Sequence, residues 1–344
     1  MLEIDGSQKS GSGTILRLSV ALCAIKKEPL HICNIRYNRK QPGLRPQHLE
    51  SVITAAKLCK AKTKGATLGS HELWFTPNSI ISGEVNAKIE TAGSIPMLLL
   101  TVLPICSQSN GKVKVHVQNG GTDVRFAPTT NYIKHILLPT LERMGFKASL
   151  NVSRYGYYPK GNGEATLTTE RCSQLKPLVI EDFGEIEKIE GISVCTFLEK
   201  QNVAERQAKA AKDILGNHGY TTDIRVVNDR SNPVQKGSSI SLWAKTSTDA
   251  ILGGDAIGEK GKSSERVGKE AAENLLKEIS SKATVDVHLA DLLIPYIALA
   301  KGTSKVVVRK ITEHIETNIW LTEKILGTKI EVAKVEDCFR IQRI

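Results

Sequence analysis

The stretch Lys310-Ile-Thr-Glu-His314-Ile-Glu-Thr-Asn-Ile319 organises the interpretation of the whole chain. The β-branched residues 306–308 precede it, and apolar residues at helical spacing follow it. This pattern predicts a strand, a short loop and a helix, with His314 on the loop just before a cap formed by Thr317 and Asn318. A neutral imidazole near a helix N-terminus, which favours anions, suits a nucleophile that attacks a phosphate. The alternative interpretation is a surface histidine beside a helix cap.

The same order of patterns occurs twice more along the chain. Lys112 begins an alternating strand, a glycine-rich loop follows at 120–128, and a helix is predicted from Thr130 to Arg143. Nearer the N-terminus, a strand starts at Leu30 and is followed by a loop and a helix. Strands that start near residues 30, 112 and 305 therefore predict three repeated units, with roughly a hundred extra residues before the third.

The extra residues have the pattern of a small α/β domain. An acidic segment follows Pro177, and a strand, a helix and two further strands are predicted after it. Their predicted ranges are 191–197, 204–215, 223–227 and 239–244, with a returning helix at 263–279. The sequence thus predicts an α/β (α+β) protein in which residues 1–182 and 280–344 form a large domain and residues 183–279 form an inserted domain.

Composition favours a polyanionic partner. The chain has 344 residues, of which 40% are hydrophobic and 24% are charged, and its formal net charge is +11. Nucleic acid is the simplest partner for such a charge, although a lysine-rich surface also occurs in thermophilic proteins. The seven cysteines form no CxxC pair, which indicates reduced thiols and a cytoplasmic protein. There is no apolar leader and no long apolar window, so we expect neither secretion nor a membrane span.

Three loops are candidate binding segments. Residues 5–13 form a Gly/Ser-rich loop between a strand and a helix, and a phosphate loop and a flexible turn are equal alternatives for it. Residues 36–48 place four cations within ten positions and are stiffened by two prolines and a glycine, which favours an anion site over a solvated charge run. Residues 154–164 concentrate three tyrosines and predict either a base-stacking loop or a packed hairpin.

Several segments, taken in order, resemble the RNA 3′-terminal phosphate cyclase family over nearly the whole chain. The resemblance is carried by IDGS at 4–7, SGTILR at 12–17, PGLRPQHL at 42–49, TAGS at 91–94, GGTD at 120–123 with AP at 127–128, RYGYYPKGNGE at 154–164, IGEKG at 257–261, LADLL at 289–293, and His314 followed by TNI at 317–319. It implies a large domain of three βαβαββ-type units, each resembling the C-terminal domain of a translation initiation factor. It also implies a smaller α/β domain inserted before the third unit.

The resemblance also implies an activity. His314 would attack the α-phosphorus of ATP, and the AMP would pass to an RNA 3′-phosphate before the adjacent 2′-OH closes a 2′,3′-cyclic phosphate. A phosphate monoester dianion is a poor electrophile, so its conversion to a mixed anhydride supplies the leaving group, and a neutral imidazole is a suitable first nucleophile.

Further roles are carried over residue by residue. Pro128, Tyr132, Leu252, Asp291 and His314 correspond to nucleotide-binding positions. Arg17, Arg36, Arg39, Gln47 and His48 correspond to positions that bind phosphate or RNA. The resemblance further implies ATP and a divalent cation, Mg²⁺ or Mn²⁺, as well as RNA with a 3′-terminal phosphate. The oligomeric state is open, with a homodimer among the alternatives.

The chain departs from the family pattern at several positions. Ser10 stands where the family has a glutamate, Leu100 and Leu292 stand where glutamines are frequent, and Asn162 replaces a glycine. The metal ligands therefore stay unassigned. Two other functions are compatible with the sequence: a non-catalytic RNA-binding scaffold in ribosome biogenesis, and a transferase for a small phosphorylated metabolite.

Overall fold

Three of the four sheets in the computed structural model, which describes residues 1–344, have one strand order. The first contains β1 (Leu2–Asp5), β2 (Leu30–Cys33), β3 (Lys62–Lys64) and β4 (Leu73–Thr76). The second contains β5 (Gly83–Lys88), β6 (Val113–Gly120), β7 (Ala148–Arg154) and β8 (Gly163–Thr169). The third contains β9 (Val179–Ile180), β14 (Lys305–Val308), β15 (Ile330–Val335) and β16 (Cys338–Arg343).

In each of these sheets the first two strands pair in parallel, and the fourth strand lies between the second and the third in antiparallel pairing. Parallel pairing of the first two strands requires a crossover connection, which a helix supplies in each sheet. The units begin at β1, β5 and β9, one strand before the predicted starts near 30, 112 and 305. The sequence missed β9 because two residues are too few to show any periodicity.

The helices occupy equivalent places in the three units. The first unit has α1 (Gly13–Lys26) and α2 (Pro46–Cys59), and the second begins with α3 (Ile95–Cys106). The second helix of that unit is continuous and consists of α4 (Thr130–Tyr132), a π-helical segment (Ile133–Leu137) and α5 (Leu138–Arg143). The third unit has α8 (Val287–Leu299) and α9 (Glu313–Leu326). No helix combines the length and the apolarity that are needed to cross a bilayer.

The chain between β9 and α8 forms the fourth sheet. It contains β10 (Ile186–Thr196), α6 (Val203–Gly216), β11 (Thr222–Asp229), β12 (Gly237–Thr246), β13 (Ile251–Ile257) and α7 (Ser264–Ser280), with strand order β11-β10-β12-β13. Both helices pack on one face of the sheet and enclose a separate apolar core whose members lie between Phe183 and Ile279. This core supports the boundaries at 183 and 279, which stay a prediction. The sequence missed β13 because Gly253 and Gly254 weaken its strand pattern.

Helices of different units pack against one another. Helix α1 contacts α2, α3 and α9, α2 contacts α3, and α8 contacts α9. The helices share one large apolar core, and the first turns of α1, α2, α8 and α9 line one cavity. These turns define the site described next.

Candidate active site

A cavity of about 620 Å³, called here the main cavity, lies at the first turns of α1, α2, α8 and α9. Helix N-termini carry unpaired N–H groups and a positive dipole, so several of them at one cavity favour an anionic ligand. The main cavity contains nine of the ten residues that the sequence analysis selected: Arg17, Arg36, Arg39, Gln47, His48, Pro128, Tyr132, Asp291 and His314. Leu252 is the exception.

His314 lies inside the first turn of α9, and its predicted position on a loop is wrong. The cap is Thr312, whose Oγ1 accepts a hydrogen bond from the N–H of Ile315 at 3.2 Å. Thr317 is already helical, since its hydroxyl donates to the carbonyl of Glu313. Threonine at this earlier position caps as well as the predicted pair does, and the cap lies five residues before Thr317.

The imidazole of His314 is half-buried and faces the main cavity. Its Nδ1 is 3.4 Å from the hydroxyl of Thr14 at the start of α1. Burial lowers the pKa of His314, and the cations Arg17 and Arg39 lower it further. The ring is therefore neutral at physiological pH, which is the state that a nitrogen nucleophile requires.

Arg17 supplies a cation beside this histidine. Its guanidinium donates to the Thr14 hydroxyl at 3.4 Å, so the two residues share one partner. Burial lowers the pKa of Arg17 to about 10, partly offset by the Asp291 carboxylate. The side chain stays charged at neutral pH and is poorly solvated, which strengthens its attraction for a phosphate oxygen.

The basic loop between β2 and α2 is held by one of its own arginines. The guanidinium of Arg36 donates to the carbonyls of Gln41 and Gly43 at 2.8 and 2.9 Å. This ordering leaves the exposed Arg39 at the mouth of the main cavity. The loop is therefore fixed before any ligand binds, which lowers the entropic cost of binding an anion.

Gln47 and His48 have different local roles. The carboxamide oxygen of Gln47 accepts a hydrogen bond from the N–H of Ser94 at 2.7 Å, which leaves its NH₂ group for an anion. His48 is buried, and burial together with Arg17, Arg36 and Arg45 lowers its pKa to about 2. It is therefore neutral. A Cβ at Gly13 would lie 2.3 Å from His48 Nε2, so glycine is required there.

Pro128 and Tyr132 form part of an apolar wall. The Tyr132 hydroxyl donates to both carboxylate oxygens of Asp286 at 2.7 and 2.8 Å, and burial raises its pKa well above the usual value. Asp286 also accepts the N–H of Gly253 and caps α8. This network joins the second unit, the insert and the third unit at one point.

The structure does not bring Leu252 to the main cavity. Its side chain is fully buried in the core of the insert. Successive residues of a strand point to opposite faces, and it is the neighbouring Gly253 that faces the ring of Tyr132. A side chain at 253 would collide with that ring.

Asp255 and Asp291 are the carboxylates of the main cavity. Burial raises the pKa of Asp291 to about 7, although His288 and Arg17 act in the opposite direction. Asn318 holds this side chain by donating to its carboxylate and to its carbonyl. Asp255 accepts the N–H of Thr129 at 2.9 Å. The sequence analysis missed Asp255 and His288 and assigned Asn318 to a helix cap, because no local pattern shows that distant polar residues meet.

Phe126 was also missed, and it is the most exposed large apolar side chain of the molecule. It lines the main cavity with a φ of 63°, which is unusual for a residue other than glycine. Its neighbour Arg125 forms a salt bridge with Glu259, which lies in the IGEKG segment of the insert. The GGTD loop is thereby tied to the insert at the mouth of the cavity.

The tyrosine loop has no place at the main cavity. Tyr157 is buried, and its ring packs against Gly237 of β12. Asn232 of the insert donates to the carbonyls of Tyr155 and Gly161 at 2.7 and 2.9 Å. Of the two predicted alternatives, this packing favours the hairpin, with Tyr158 alone exposed.

Comparisons with known proteins agree with these observations. The profile of the family described as RNA 3′-terminal phosphate cyclase matches residues 8–332. Three curated proteins named RNA 3′-terminal phosphate cyclase are similar over nearly their full length. The protein of Pyrobaculum aerophilum is 40% identical over 99% of this chain and 97% of its own length, that of Thermococcus onnurineus is 42% identical over 96% and 95%, and that of Methanosarcina mazei is 40% identical over 99% of each. The chain belongs to the RNA 3′-terminal phosphate cyclase family.

Proposed function

We propose that this protein converts an RNA 3′-terminal phosphate to a 2′,3′-cyclic phosphate at the expense of ATP. Its similarity to proteins that carry the cyclase name supports this activity. The observation that carries the mechanism is the neutral, half-buried imidazole of His314 at a cavity that also contains Arg17, Arg36 and Arg39.

In the first step Nε2 of His314 attacks the α-phosphorus of ATP. The tautomer with its proton on Nδ1 donates to the Thr14 hydroxyl, so the lone pair on Nε2 is free. The bond between the α-phosphorus and its bridging oxygen breaks, pyrophosphate leaves, and His314 is linked to AMP by a P–N bond. Arg17 and Arg39 offset the charge that develops on the phosphate oxygens.

In the second step an oxygen of the RNA 3′-phosphate attacks the AMP phosphorus, and the P–N bond breaks. This reaction regenerates His314 and leaves a diphosphate linkage at the RNA end. In the third step the neighbouring 2′-OH attacks the 3′-phosphorus, its proton passes to the neutral imidazole of His314, and AMP leaves. Each step exchanges one phosphorus bond for another, so the three steps balance.

The side chains of the main cavity fit a divalent cation that is held mainly by phosphates. No three His, Cys, Asp or Glu side chains converge anywhere in the structure. Ser10, at the position of the family's glutamate, has its hydroxyl 3.0 Å from that of Ser12. Asp255 and Asp291 are the residues that would hold the cation, since Mg²⁺ usually binds one or two carboxylates together with substrate phosphates. When bound, it would neutralise charge on the phosphates.

The test is covalent labelling with ATP that carries ³²P at the α-position, in the presence of Mg²⁺ or Mn²⁺. We expect an acid-labile, alkali-stable adduct on the wild-type protein, its absence from His314→Ala, and its discharge by RNA with a 3′-phosphate. His71→Ala is the matched control, because His71 is exposed and lies outside the cavity. Undiminished labelling of His314→Ala would remove His314 from the mechanism.

One observation favours the non-catalytic scaffold as a second candidate function. The Ser10 hydroxyl cannot replace a carboxylate as a strong cation ligand. If no adduct forms with either metal, while RNA binding is retained and weakens with salt, the scaffold is the better conclusion.

A further inference from the structure

His314 also lines a second cavity, of about 440 Å³. This cavity lies between α7 of the insert and the first turns of α8 and α9. Four residues line both cavities: Asp255, His288, Asp291 and His314. The two cavities therefore adjoin at His314.

The linings of the two cavities differ in chemistry. The main cavity includes apolar and aromatic side chains such as Pro128, Tyr132 and Phe126, which suit a nucleobase. The second cavity has Val287 as its single apolar side chain, and the rest of its lining consists of polar or charged side chains, such as Asn274, and of two glycines. Such a lining suits a sugar–phosphate backbone and offers a base no face on which to stack.

The second cavity is lined by three cations, Lys277, Arg309 and Lys310, and by three carboxylates, Asp255, Glu278 and Asp291. Each carboxylate accepts a hydrogen bond from another residue of the protein, whereas two of the cations have no partner. Lys277 on α7 and Lys310 before α9 are exposed, and neither forms a salt bridge or a side-chain hydrogen bond. Arg309 differs, since its guanidinium is paired with the buried carboxylate of Glu278 at 2.8 Å. The two lysines thus remain available for an external anion, whereas Arg309 serves the local structure.

We propose that the second cavity binds the internucleotide phosphates of the RNA strand whose 3′ end reacts at His314, with Lys277 and Lys310 as their partners. This inference rests on the proposed function, because it assigns a path to that substrate. The strand would enter between the insert and the third unit, and its terminal phosphate would meet the nucleotide where the cavities join. The bases of the bound segment would face solvent, so the subsite would hold any RNA sequence.

The experiment uses the full chain and the variants Lys277→Gln, Lys310→Gln and the double variant. Lys209→Gln is the matched control, because Lys209 is an exposed lysine on α6 that lines neither cavity. Each lysine variant should raise the KM for an RNA oligonucleotide with a 3′-phosphate by about two- to fivefold, as expected for an exposed charge pair. The salt dependence of RNA binding, measured by fluorescence anisotropy, should fall by about 0.7 in log–log slope for each phosphate that a lysine no longer neutralises.

Two further arms separate this inference from its alternatives. Labelling by ATP alone should be the same in the wild type and the double variant, and a loss of labelling would assign the cavity to the β- and γ-phosphates instead. A nucleoside 3′-phosphate, which has no internucleotide phosphate, should react equally with both proteins, and an equal loss on this substrate would overturn the assignment. Fluorescence anisotropy measures RNA binding and needs no turnover. If the wild type formed no adduct, the proposed function would be refuted, and the effect of the lysine variants on RNA binding would still test the RNA path.

Discussion

Gln47, Asn131 and His314 occupy one position in the three units, the second residue of each unit's second helix. In the second and third units the helix is capped by a threonine, Thr129 or Thr312, whose hydroxyl accepts an N–H three residues later. The local backbone is therefore nearly the same in these two units. The turn of the third unit nevertheless carries the catalytic candidate His314, and the turn of the second unit carries none.

What differs is the surface that covers each turn. The turn at Asn131 lies beneath the insert, since Thr129 donates its N–H to Asp255 and its hydroxyl is 2.7 Å from that of Ser241. Asn131 is consequently buried. The turn at His314 is open to two cavities. Repetition thus supplies a common helix start, and the placement of the insert decides which start is accessible to a ligand.

The largest effect is expected when His314 of the third unit is replaced by asparagine, the residue at the equivalent position of the second unit. His314→Asn should lower adenylylation by more than about a thousandfold, because a carboxamide nitrogen has no available lone pair for attack on phosphorus. The measurement is the initial rate of labelling from α-³²P ATP, with circular dichroism to show that the helix content is kept. A rate within tenfold of the wild type would show that another residue carries the AMP.

The reciprocal change should give no activity. Asn131→His places a larger ring in a buried turn, so we expect about 1–3 kcal/mol of destabilisation in urea unfolding and no adduct in the His314→Asn background. An adduct at position 131 would mean that the insert moves far enough to expose this turn, which would contradict the comparison.

The next effect concerns the cation beside the nucleophile. Arg17→Ala should slow adenylylation by about ten- to a hundredfold, the range for loss of a charge-assisted hydrogen bond. Arg17 lowers the pKa of His314, so its removal raises that pKa, and the acid limb of the pH–rate profile should move to higher pH. A lower rate with an unmoved acid limb would show that Arg17 acts on the substrate alone.

A smaller effect on stability is expected at Asp291. Its folded-state pKa of about 7 exceeds the ordinary value of 3.8, so the folded protein holds the proton more tightly than the unfolded chain. Stability is therefore lost as pH rises from about 4 to 7. Asp291→Asn keeps an oxygen for Asn318 and cannot ionise, so it should be more stable at pH 8, with no difference near pH 4. We expect a gain of about 1–2 kcal/mol, less than the roughly 4 kcal/mol that the full pKa difference would give, because Asp291 is partly exposed to solvent. The measurement is the free energy of unfolding of the wild type and of Asp291→Asn at pH 4 and pH 8. The same difference between the two proteins at both pH values would rule out a buried charge at Asp291.

The smallest effect is expected at the salt bridge between Arg125 and Glu259, which joins the GGTD loop to the insert. Arg125 is exposed, so Arg125→Ala should change the free energy of unfolding by less than about 1 kcal/mol. Any larger change, measured in low and high salt, would show that this contact helps to hold the insert over the second unit's turn.

The sequence was sufficient to predict the α/β class, while the bounds of the insert and the roles of the cavity residues stay predictions. Strongly amphipathic helices such as α6 and α7 are visible in one sequence, and the resemblance to a family supplied nine residues that the fold brings together. The sequence led to a wrong prediction where the direction of a side chain along a strand decides which residue reaches the cavity. Leu252 was placed at the cavity, but strand alternation turns Gly253 towards Tyr132 instead.

Other features depend on contacts between distant residues. The cap of α9 is Thr312 and not the predicted Thr317. Both threonines are plausible caps, they lie five positions apart, and the local sequence does not distinguish between them. Asp255, His288 and the second cavity arise only where the insert meets the third unit. The packing of Tyr157 against β12 likewise depends on that junction. No single segment contains this information.

The way in which the insert leaves and rejoins the third unit has an evolutionary consequence. The hydroxyl of Thr284, after the insert, donates to the carbonyl of Ile180, before it, at 2.8 Å, so the two connections are neighbours. Residues 183–279 could therefore be gained or exchanged without breaking any strand pair within the three repeated sheets. An exchange of the insert would leave His314 and the arginines of the main cavity in place, and it would replace Asp255 and one wall of the second cavity. The insert is therefore placed as a module that can vary while the histidine and the arginines are retained.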